Sequence, residues 1–184
     1  MTEHQRGGLG PWRAGAGVGG FPAGAVVETV GERFAAVAAQ HADAVALRSP
    51  AAVWTYADLS GEVSRMAGGI ERLVGPRTGQ PVAVLAEHDG PLVAAVLAVI
   101  SAGHVVVILD PAAPPEQTLA VLAEACPRHL LHDRTHGDAA AELAAAEGRL
   151  RPVSLDDLHG EFAGPEPLGW HAPMMLAFTS GTSG

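Results

Sequence analysis

The feature that most constrains the fold is a repeated alternation of strand-like and helix-like patterns across residues 82–153. Strand-like runs lie at 82–86, 105–109, 129–132 and 150–153, and helical patterns lie between them at 91–102, 114–125 and 138–146. Strands that alternate with helices of this length form βαβ units, in which the strands are parallel. The sequence therefore predicts an α/β fold with a mostly parallel sheet and helices on both faces.

The segment before this alternation carries two signals for a helix start. Thr29 with Glu32, and Thr55 with Asp58, have the spacing of a capping box, in which two side chains satisfy free N–H groups of the first turn. Apolar residues follow each pair at helical spacing. The predicted elements are a helix over 30–40, short strands at 45–47 and 53–54, and a helix that ends at Gly75.

Composition narrows the class of protein. The chain has 184 residues, 48% of them hydrophobic, and a net charge of -9. These values predict a globular protein and argue against nucleic acid or an anionic membrane as a partner. The single cysteine, Cys126, cannot form an internal disulfide, and we expect it to be a buried small residue on a helix. Without a recognisable export signal, the predicted location is the cytoplasm.

Residues 91–109 are the one stretch that could be a transmembrane helix instead. It is nineteen residues long, and only Ser101 and His104 are clearly polar. Gly103 and His104 divide it into an Ala/Leu/Val part and a β-branched part, which favours a helix followed by a buried strand.

The first residues contain little that could be buried. Residues 15–20 satisfy G-x-G-x-x-G, but no strand precedes them and no helical pattern follows, so they are not read as a dinucleotide site. We predict a flexible Gly-rich leader at 1–20 and a partial domain at 21–184.

A group of histidines and aspartates is the densest set of possible metal ligands. Because side chains alternate along a strand, His129 and His132 should point to opposite faces of the sheet. We therefore predict no metal site and expect histidines that face solvent at the end of a strand. The residues considered are His129, His132, Asp133, His136 and Asp138.

The end of the chain has the pattern of a phosphate-binding loop. An apolar run at 174–178 is followed by Thr179, Ser180, Gly181, Thr182, Ser183 and Gly184. Glycines let backbone N–H groups converge on an anion, and the hydroxyls add donors. The chain has no lysine, which excludes a Walker-type loop, while a flexible linker is the simpler alternative. Because such a loop normally continues into a helix, we expect the fold to be incomplete at its C-terminus.

Three stretches resemble the N-terminal part of adenylate-forming enzymes, most closely the amino-acid adenylation domains of nonribosomal peptide synthetases. Residues 54–59 (W-T-Y-A-D-L) are similar to the family's L-T-Y-x-E-L, and 101–111 are similar to its K-A-G-x-x-Y-V-P-L-D-P. Residues 176–184 are similar to its phosphate-loop signature, L-A-Y-x-x-Y-T-S-G-T-T-G. Ser101, Val106 and Ile108 depart from the family's Lys, Tyr and Pro.

The resemblance implies an activity. A carboxylic acid, here an amino acid, would react with ATP in the presence of Mg²⁺ to give an acyl-adenylate. The acyl group would then pass to the phosphopantetheine thiol of a carrier protein. Residues 179–184 would bind the nucleotide phosphates, whereas the family's other catalytic residues belong to later sequence, so this chain alone is expected to be inactive.

Two alternatives remain open at this point. One is a truncated, non-catalytic protein that serves as a binding or interaction module. The other is an acyl-CoA or aryl-acid ligase of the same superfamily, which only the acid-binding pocket would distinguish.

Overall fold

The computed structural model describes residues 28–49, 52–166 and 173–176, so the predicted leader lies outside the described residues. A short 3-10 turn at Leu155–Asp157 accompanies the regular elements. The helices are α1 (Val30–Gln40), α2 (Tyr56–Val74), α3 (Gly90–Ser101), α4 (Pro115–Ala125) and α5 (Gly137–Glu147). The strands are β1 (Val45–Arg48), β2 (Val53–Thr55), β3 (Pro81–Leu85), β4 (Val105–Leu109), β5 (His129–His132), β6 (Arg151–Ser154) and β7 (Met175–Leu176).

Both predicted capping boxes are present. The Thr29 hydroxyl accepts a hydrogen bond from Glu32 N–H at 3.2 Å, and the Glu32 carboxylate accepts one from Thr29 N–H at 2.7 Å. Thr55 and Asp58 repeat the arrangement at 3.1 and 2.9 Å. The starts of α1 and α2 are therefore determined by local side-chain hydrogen bonds.

Strands β3 to β7 form a single parallel sheet in the order β6-β5-β3-β4-β7. Val84 of β3 is paired with Ile108 on one side and with Leu131 on the other, which makes β3 the central strand. Strands β1 and β2 form a separate antiparallel pair. The predicted mostly parallel sheet is confirmed, and β6 lies at its edge as expected.

Helices cover both faces of the sheet. Val82 and Val84 point to the face on which α1, α2 and α3 pack, and Ala83 and Leu85 point to the face covered by α4 and α5. Strands buried on both sides need apolar residues at successive positions, which explains the continuous β-branched runs in the sequence.

Helix α2 touches the segment after the 3-10 turn at backbone distance. The Arg65 guanidinium donates hydrogen bonds to the carbonyl oxygens of Leu155, at 3.1 Å, and of Leu158. A Cβ atom added to Gly68 would lie 2.5 Å from the carbonyl carbon of Gly160. The connection that leaves β6 is therefore held closely against α2.

The apolar stretch 91–109 forms helix α3 followed by strand β4, as predicted. Gly103 lies between them with φ of 76°, a conformation that glycine adopts more readily than other residues. In the described part of the chain, no helix combines the length and the apolar character that crossing a bilayer requires.

The prediction for Cys126 is wrong. The residue is exposed and follows the last residue of α4, where it adopts a left-handed conformation with φ of 51°. Its S–H donates to the Ala123 carbonyl at 3.0 Å. Pro127 comes next, and because a residue before proline is disfavoured in the helical region, the helix ends here and the thiol faces outward.

Candidate functional site

The carboxyl ends of the five parallel strands meet at one edge of the sheet. The chain leaves β3 for α3 on one face and leaves the neighbouring strand β4 for α4 on the other. In α/β sheets, a crevice for ligands opens where adjacent connections diverge in this way. Acidic side chains follow the strands at this edge, namely Glu87, Asp89, Asp110, Asp133 and Asp156.

Three residues at this edge are joined by hydrogen bonds to the Asp133 carboxylate and by an ion-pair contact. Asp133 Oδ2 accepts from the backbone N–H of Glu87 at 2.8 Å, and Asp133 Oδ1 lies 2.7 Å from Nδ1 of His136. The backbone N–H of His136 also donates to Oδ1, at 2.9 Å, and Nε2 of His136 lies 3.6 Å from the Glu87 carboxylate. We call Glu87, Asp133 and His136 the edge cluster.

The electrostatics of the edge cluster favour an ionised Asp133. Burial acts to raise the pKa of this carboxyl group, but the hydrogen bonds from Glu87 and His136 outweigh burial and lower the pKa below its ordinary value. The cluster therefore joins the loops after β3 and β5 to the start of α5 through a half-buried carboxylate.

Asp89 lies outside the edge cluster and caps a helix instead. Its Oδ1 accepts from Gly90 N–H at 2.6 Å and caps helix α3. Hydrogen bonds from the Ser49 side chain and from Gly90 lower the pKa of Asp89 below its ordinary value. The ring of Trp54 packs over Gly90, where an added Cβ would lie 3.1 Å from the indole.

Two cavities open beside the edge cluster. A cavity of about 210 Å³ lies between α4 and α5 and is lined by Leu85, Asp110 and His136 among others. A second, of about 420 Å³, reaches Glu87 and Asp133 from the α2 side. Members of the edge cluster thus line both spaces at the carboxyl edge.

The strand that precedes the predicted phosphate loop is part of this sheet. β7 pairs with β4 in parallel, with Met175 opposite Val106 and Leu176 opposite Val107. β7 therefore points toward the carboxyl edge. The six residues predicted to bind phosphate, Thr179 to Gly184, lie outside the described residues.

The histidines and aspartates considered for a metal do not converge. His129 begins β5 and is buried, so the expectation that it faces solvent is wrong; the register of β5 places it between β3 and β6. His136 is bonded to Asp133, and Asp138 lies in α5. Among the described residues, no group of three or more possible ligands is arranged to hold a metal ion.

Sequence reasoning did not identify Glu87 as a site residue. The available signal was its position directly after a buried strand, where the carboxyl edge of a parallel sheet collects polar groups. The bond to Asp133 spans 46 residues, so no local pattern reveals it.

Comparison with known sequences identifies the family. Residues 34–184 match the family model described as AMP-binding enzyme. The chain is 35% identical over 157 residues to CymA of Salinispora arenicola, named as a probable nonribosomal peptide synthetase, which covers 82% of this chain and 2% of that protein. It is 33% identical over 143 residues to the feruloyl-CoA synthase of Amycolatopsis sp., which covers 77% of this chain and 28% of that protein.

Solved structures agree with these matches. The N-terminal subdomain of NpsA from Klebsiella oxytoca, in complex with 3-hydroxyanthranilyl-AMSN, superposes with a TM-score of 0.72 at 22% identity and covers 86% of this chain and 39% of that chain. The nonribosomal peptide synthetase FmoA3, in its AMPPNP-bound form, superposes with a TM-score of 0.72 at 26% identity and covers 84% and 16%. The chain spans well under half of these relatives. Its fold, its family match and its motifs together show that the chain belongs to the AMP-binding enzyme family, among the adenylate-forming ligases.

Proposed function

We propose that this chain is the N-terminal part of an adenylation domain that activates an amino acid for peptide assembly. The substrate carboxylate attacks the α-phosphorus of ATP, the bond from that phosphorus to the bridging oxygen breaks, and pyrophosphate leaves. The acyl-adenylate then reacts with the phosphopantetheine thiol of a carrier protein, which gives a thioester and AMP. We further propose that this takes place in the cytoplasm.

The observation that carries the proposal is the position and direction of β7. The strand lies beside β4 and points toward the edge at which α/β folds bind ligands. Only two residues separate Leu176 from Thr179. The strand in which the signature-like sequence begins therefore points toward the carboxyl edge, which supports a phosphate-binding role for the residues that follow it.

Residues 179–184 would bind the β- and γ-phosphates. Hydroxyl groups of Thr179, Ser180, Thr182 and Ser183 would donate hydrogen bonds, while Gly181 and Gly184 would let the backbone approach closely. Phosphoryl transfer of this kind depends on positioning and on stabilisation of charge.

The charge of the carboxyl edge supports a role for Mg²⁺. Glu87, Asp89, Asp110 and Asp133 all lie at this edge, and the chain has no lysine. An ATP molecule here would meet carboxylates of its own sign. A divalent cation bound to the nucleotide would offset that repulsion and would neutralise charge on the leaving pyrophosphate.

The experiment is an ATP–pyrophosphate exchange assay on the protein as it occurs in the producing cell, isolated with an antibody against this chain. The mass of the isolated protein is measured, and the twenty amino acids are offered singly. One amino acid should support exchange, and Thr182→Ala should lower the rate by about 100-fold, as for the loss of one transition-state hydrogen-bond donor. Ser60→Ala in α2 is the control and should not change the rate. Exchange that is insensitive to Thr182→Ala would contradict the role of the loop.

The 33% identity to a feruloyl-CoA synthase supports a second candidate, an acyl-CoA or aryl-acid ligase. The same assay distinguishes the two. Exchange that depends on an aryl acid, followed by transfer to free coenzyme A, would favour the second candidate over loading of a carrier protein.

A further inference from the structure

The amino-terminal edge of the sheet, opposite the edge described above, contains a cavity of about 690 Å³. The residues that line it include four of the eleven arginines of the chain. The four are Arg77, Arg128, Arg149 and Arg151.

The fold brings these arginines together from three separate connections. Arg77 lies between α2 and β3, Arg128 directly precedes β5, and Arg149 and Arg151 stand at the start of β6. The backbone N–H of Arg151 donates to the Arg128 carbonyl at 2.9 Å, which holds two of the connections side by side. In a parallel sheet the segments that precede all strands meet at one edge, so the cluster follows from the topology.

The charge of this cavity is unbalanced. Of the residues that the structure describes, no Asp or Glu lines it, although the chain has 20 acidic residues against 11 arginines. Within the described ranges, Arg149 pairs with Glu147, and no ion pair is formed by Arg77, Arg128 or Arg151. His129 also lines the cavity. Burial, and then the charges of Arg151 and Arg128, lower the pKa of its imidazole. At neutral pH the positive charge therefore comes from guanidinium groups.

The cavity also has apolar lining residues and a reactive group. Leu73 and Val74, which pack with the core on the α2 face of the sheet, line part of it, and Leu150, from the core on the α4–α5 face, lines another part. The thiol of Cys126 lies at its rim, with Sγ 3.6 Å from a guanidinium nitrogen of Arg149. The single cysteine of the chain can therefore report on what occupies the cavity.

We propose that this cavity binds a small organic phosphate, with the phosphate held by the arginines and an apolar body against Leu73 and Val74. Guanidinium groups bind phosphate oxygens through paired hydrogen bonds, and several unpaired ones at one place suit a group with two or more negative charges. The volume lies within the range of about 300–1,000 Å³ that is typical of small-molecule sites. This site goes beyond the proposed function, which concerns the opposite edge.

The test uses inorganic pyrophosphate as the probe and the full chain at constant ionic strength. Alkylation of Cys126 by neutral iodoacetamide is followed with increasing pyrophosphate, and binding is measured by calorimetry. Bound pyrophosphate should slow alkylation at saturation. The double variant Arg128→Ala/Arg151→Ala should weaken the protecting affinity by about tenfold or more, as expected for lost charge-assisted hydrogen bonds.

The matched control is Arg48→Ala/Arg134→Ala, which removes the same charge from exposed side chains elsewhere. In this variant pyrophosphate should protect Cys126 from alkylation as it does in the unchanged chain. Arg77→Gln, in the turn before β3, serves as a second variant should the first double variant unfold, and it should also weaken protection. Because Cys126 lies at the amino-terminal edge, its protection is independent of any binding by residues 179–184.

Three results would overturn the proposal. Pyrophosphate could fail to slow alkylation, or sodium chloride at equal ionic strength could slow it equally. Alternatively, a Glu-rich peptide could protect Cys126 at lower concentration than pyrophosphate does, which would identify a docking surface for an acidic protein segment.

Discussion

The imidazole of His104 is buried between α3 and β4, and within the described part of the chain its Nδ1 atom has no hydrogen-bond partner. Burial, and then the nearby His129, lower the pKa of His104 below its ordinary value. The folded state therefore binds this proton less tightly than the unfolded state does. The stability that depends on a neutral His104 is present above about pH 6.5 and is lost as the pH falls through the lowered folded pKa.

This predicts the effect of His104→Leu. The variant removes a buried polar atom without a partner, so at pH 7.5 its free energy of unfolding should equal or exceed that of the unchanged chain by about 1 kcal/mol. Between pH 6.5 and 5 its stability should fall less steeply, as measured by urea unfolding across that range. His41→Leu, at an exposed position after α1, is the control. Equal pH slopes for His104→Leu and the unchanged chain would contradict the prediction.

Asp133 is the residue on which the edge cluster depends, since its two oxygens accept from Glu87 and His136. Asp133→Asn replaces one acceptor oxygen by a donor group and should cost about 1–3 kcal/mol of unfolding free energy. Because the pKa of Asp133 is lowered in the folded state, its contribution is present above about pH 4 and is lost as the pH falls through the folded pKa.

Thermal or urea unfolding at pH 7 and below pH 4 measures this effect. The difference between Asp133→Asn and the unchanged chain should shrink at the lower pH. Asp43→Asn, in the exposed loop before β1, should show little difference at either pH. A constant difference across this range would mean that the ionised carboxylate is not the stabilising group.

At the scale of the element, helix α2 has a start that is set by local hydrogen bonds and an interior that is packed against a segment distant in sequence. Its start is set by the capping box of Thr55 and Asp58, and its buried stripe packs on α3 and the sheet. Gly68 and Gly69 lie in the interior of the helix, where glycine is unfavourable. The structure explains them, because backbone of residues 158–161 lies where their side chains would be.

Two alanine substitutions in α2 should therefore have opposite effects. Gly68→Ala would bring Cβ within 2.5 Å of Gly160 backbone, so we expect a loss of about 2–4 kcal/mol. Gly61→Ala meets nothing within 4 Å and should raise stability by up to about 1 kcal/mol through helix propensity. Urea unfolding of both variants makes the comparison, and a neutral Gly68→Ala would show that residues 158–161 are not held against α2.

At the scale of the whole molecule, charge and apolar surface are distributed unevenly. Carboxylates collect at the carboxyl edge of the sheet and arginines at the opposite edge. Apolar surface is exposed at the edge strand β7, where Met175 and Leu176 are 41% and 37% exposed to solvent. In the described part of the chain, β4 is the only strand that pairs with β7.

An exposed apolar strand at a sheet edge invites association. We therefore expect the 184-residue chain by itself to self-associate, with a sedimentation coefficient that rises with concentration. Met175→Lys should reduce this association, whereas Val53→Lys, which adds the same charge to the separate β1–β2 pair, should reduce it less. A chain that stays monomeric and melts cooperatively would instead favour the non-catalytic interaction module.

The sequence by itself determined the identity and bounds of most elements. The strand and helix patterns at 82–153 lie within two residues of the observed elements, and both capping boxes were recognised. These features depend on periodicity and on hydrogen bonds between residues close in sequence. The motifs at 54–59, 101–111 and 176–184 also led to the AMP-binding family, which the family match confirms. The roles of Thr179 to Gly184 remain predictions.

Only the tertiary structure decided what depends on segments far apart in the chain. The strand order β6-β5-β3-β4-β7 places β5 between β3 and β6, so His129 is buried, although its local sequence reads as a polar strand end. The same order brings Glu87 to Asp133 and collects the four arginines of the amino-terminal cavity. Helix propensity alone makes Gly68 an unfavourable residue in α2, and only its contact with Gly160 explains why a glycine is needed there. Each of these features depends on which segments become neighbours in space. The periodicity of the sequence does not specify such long-range contacts.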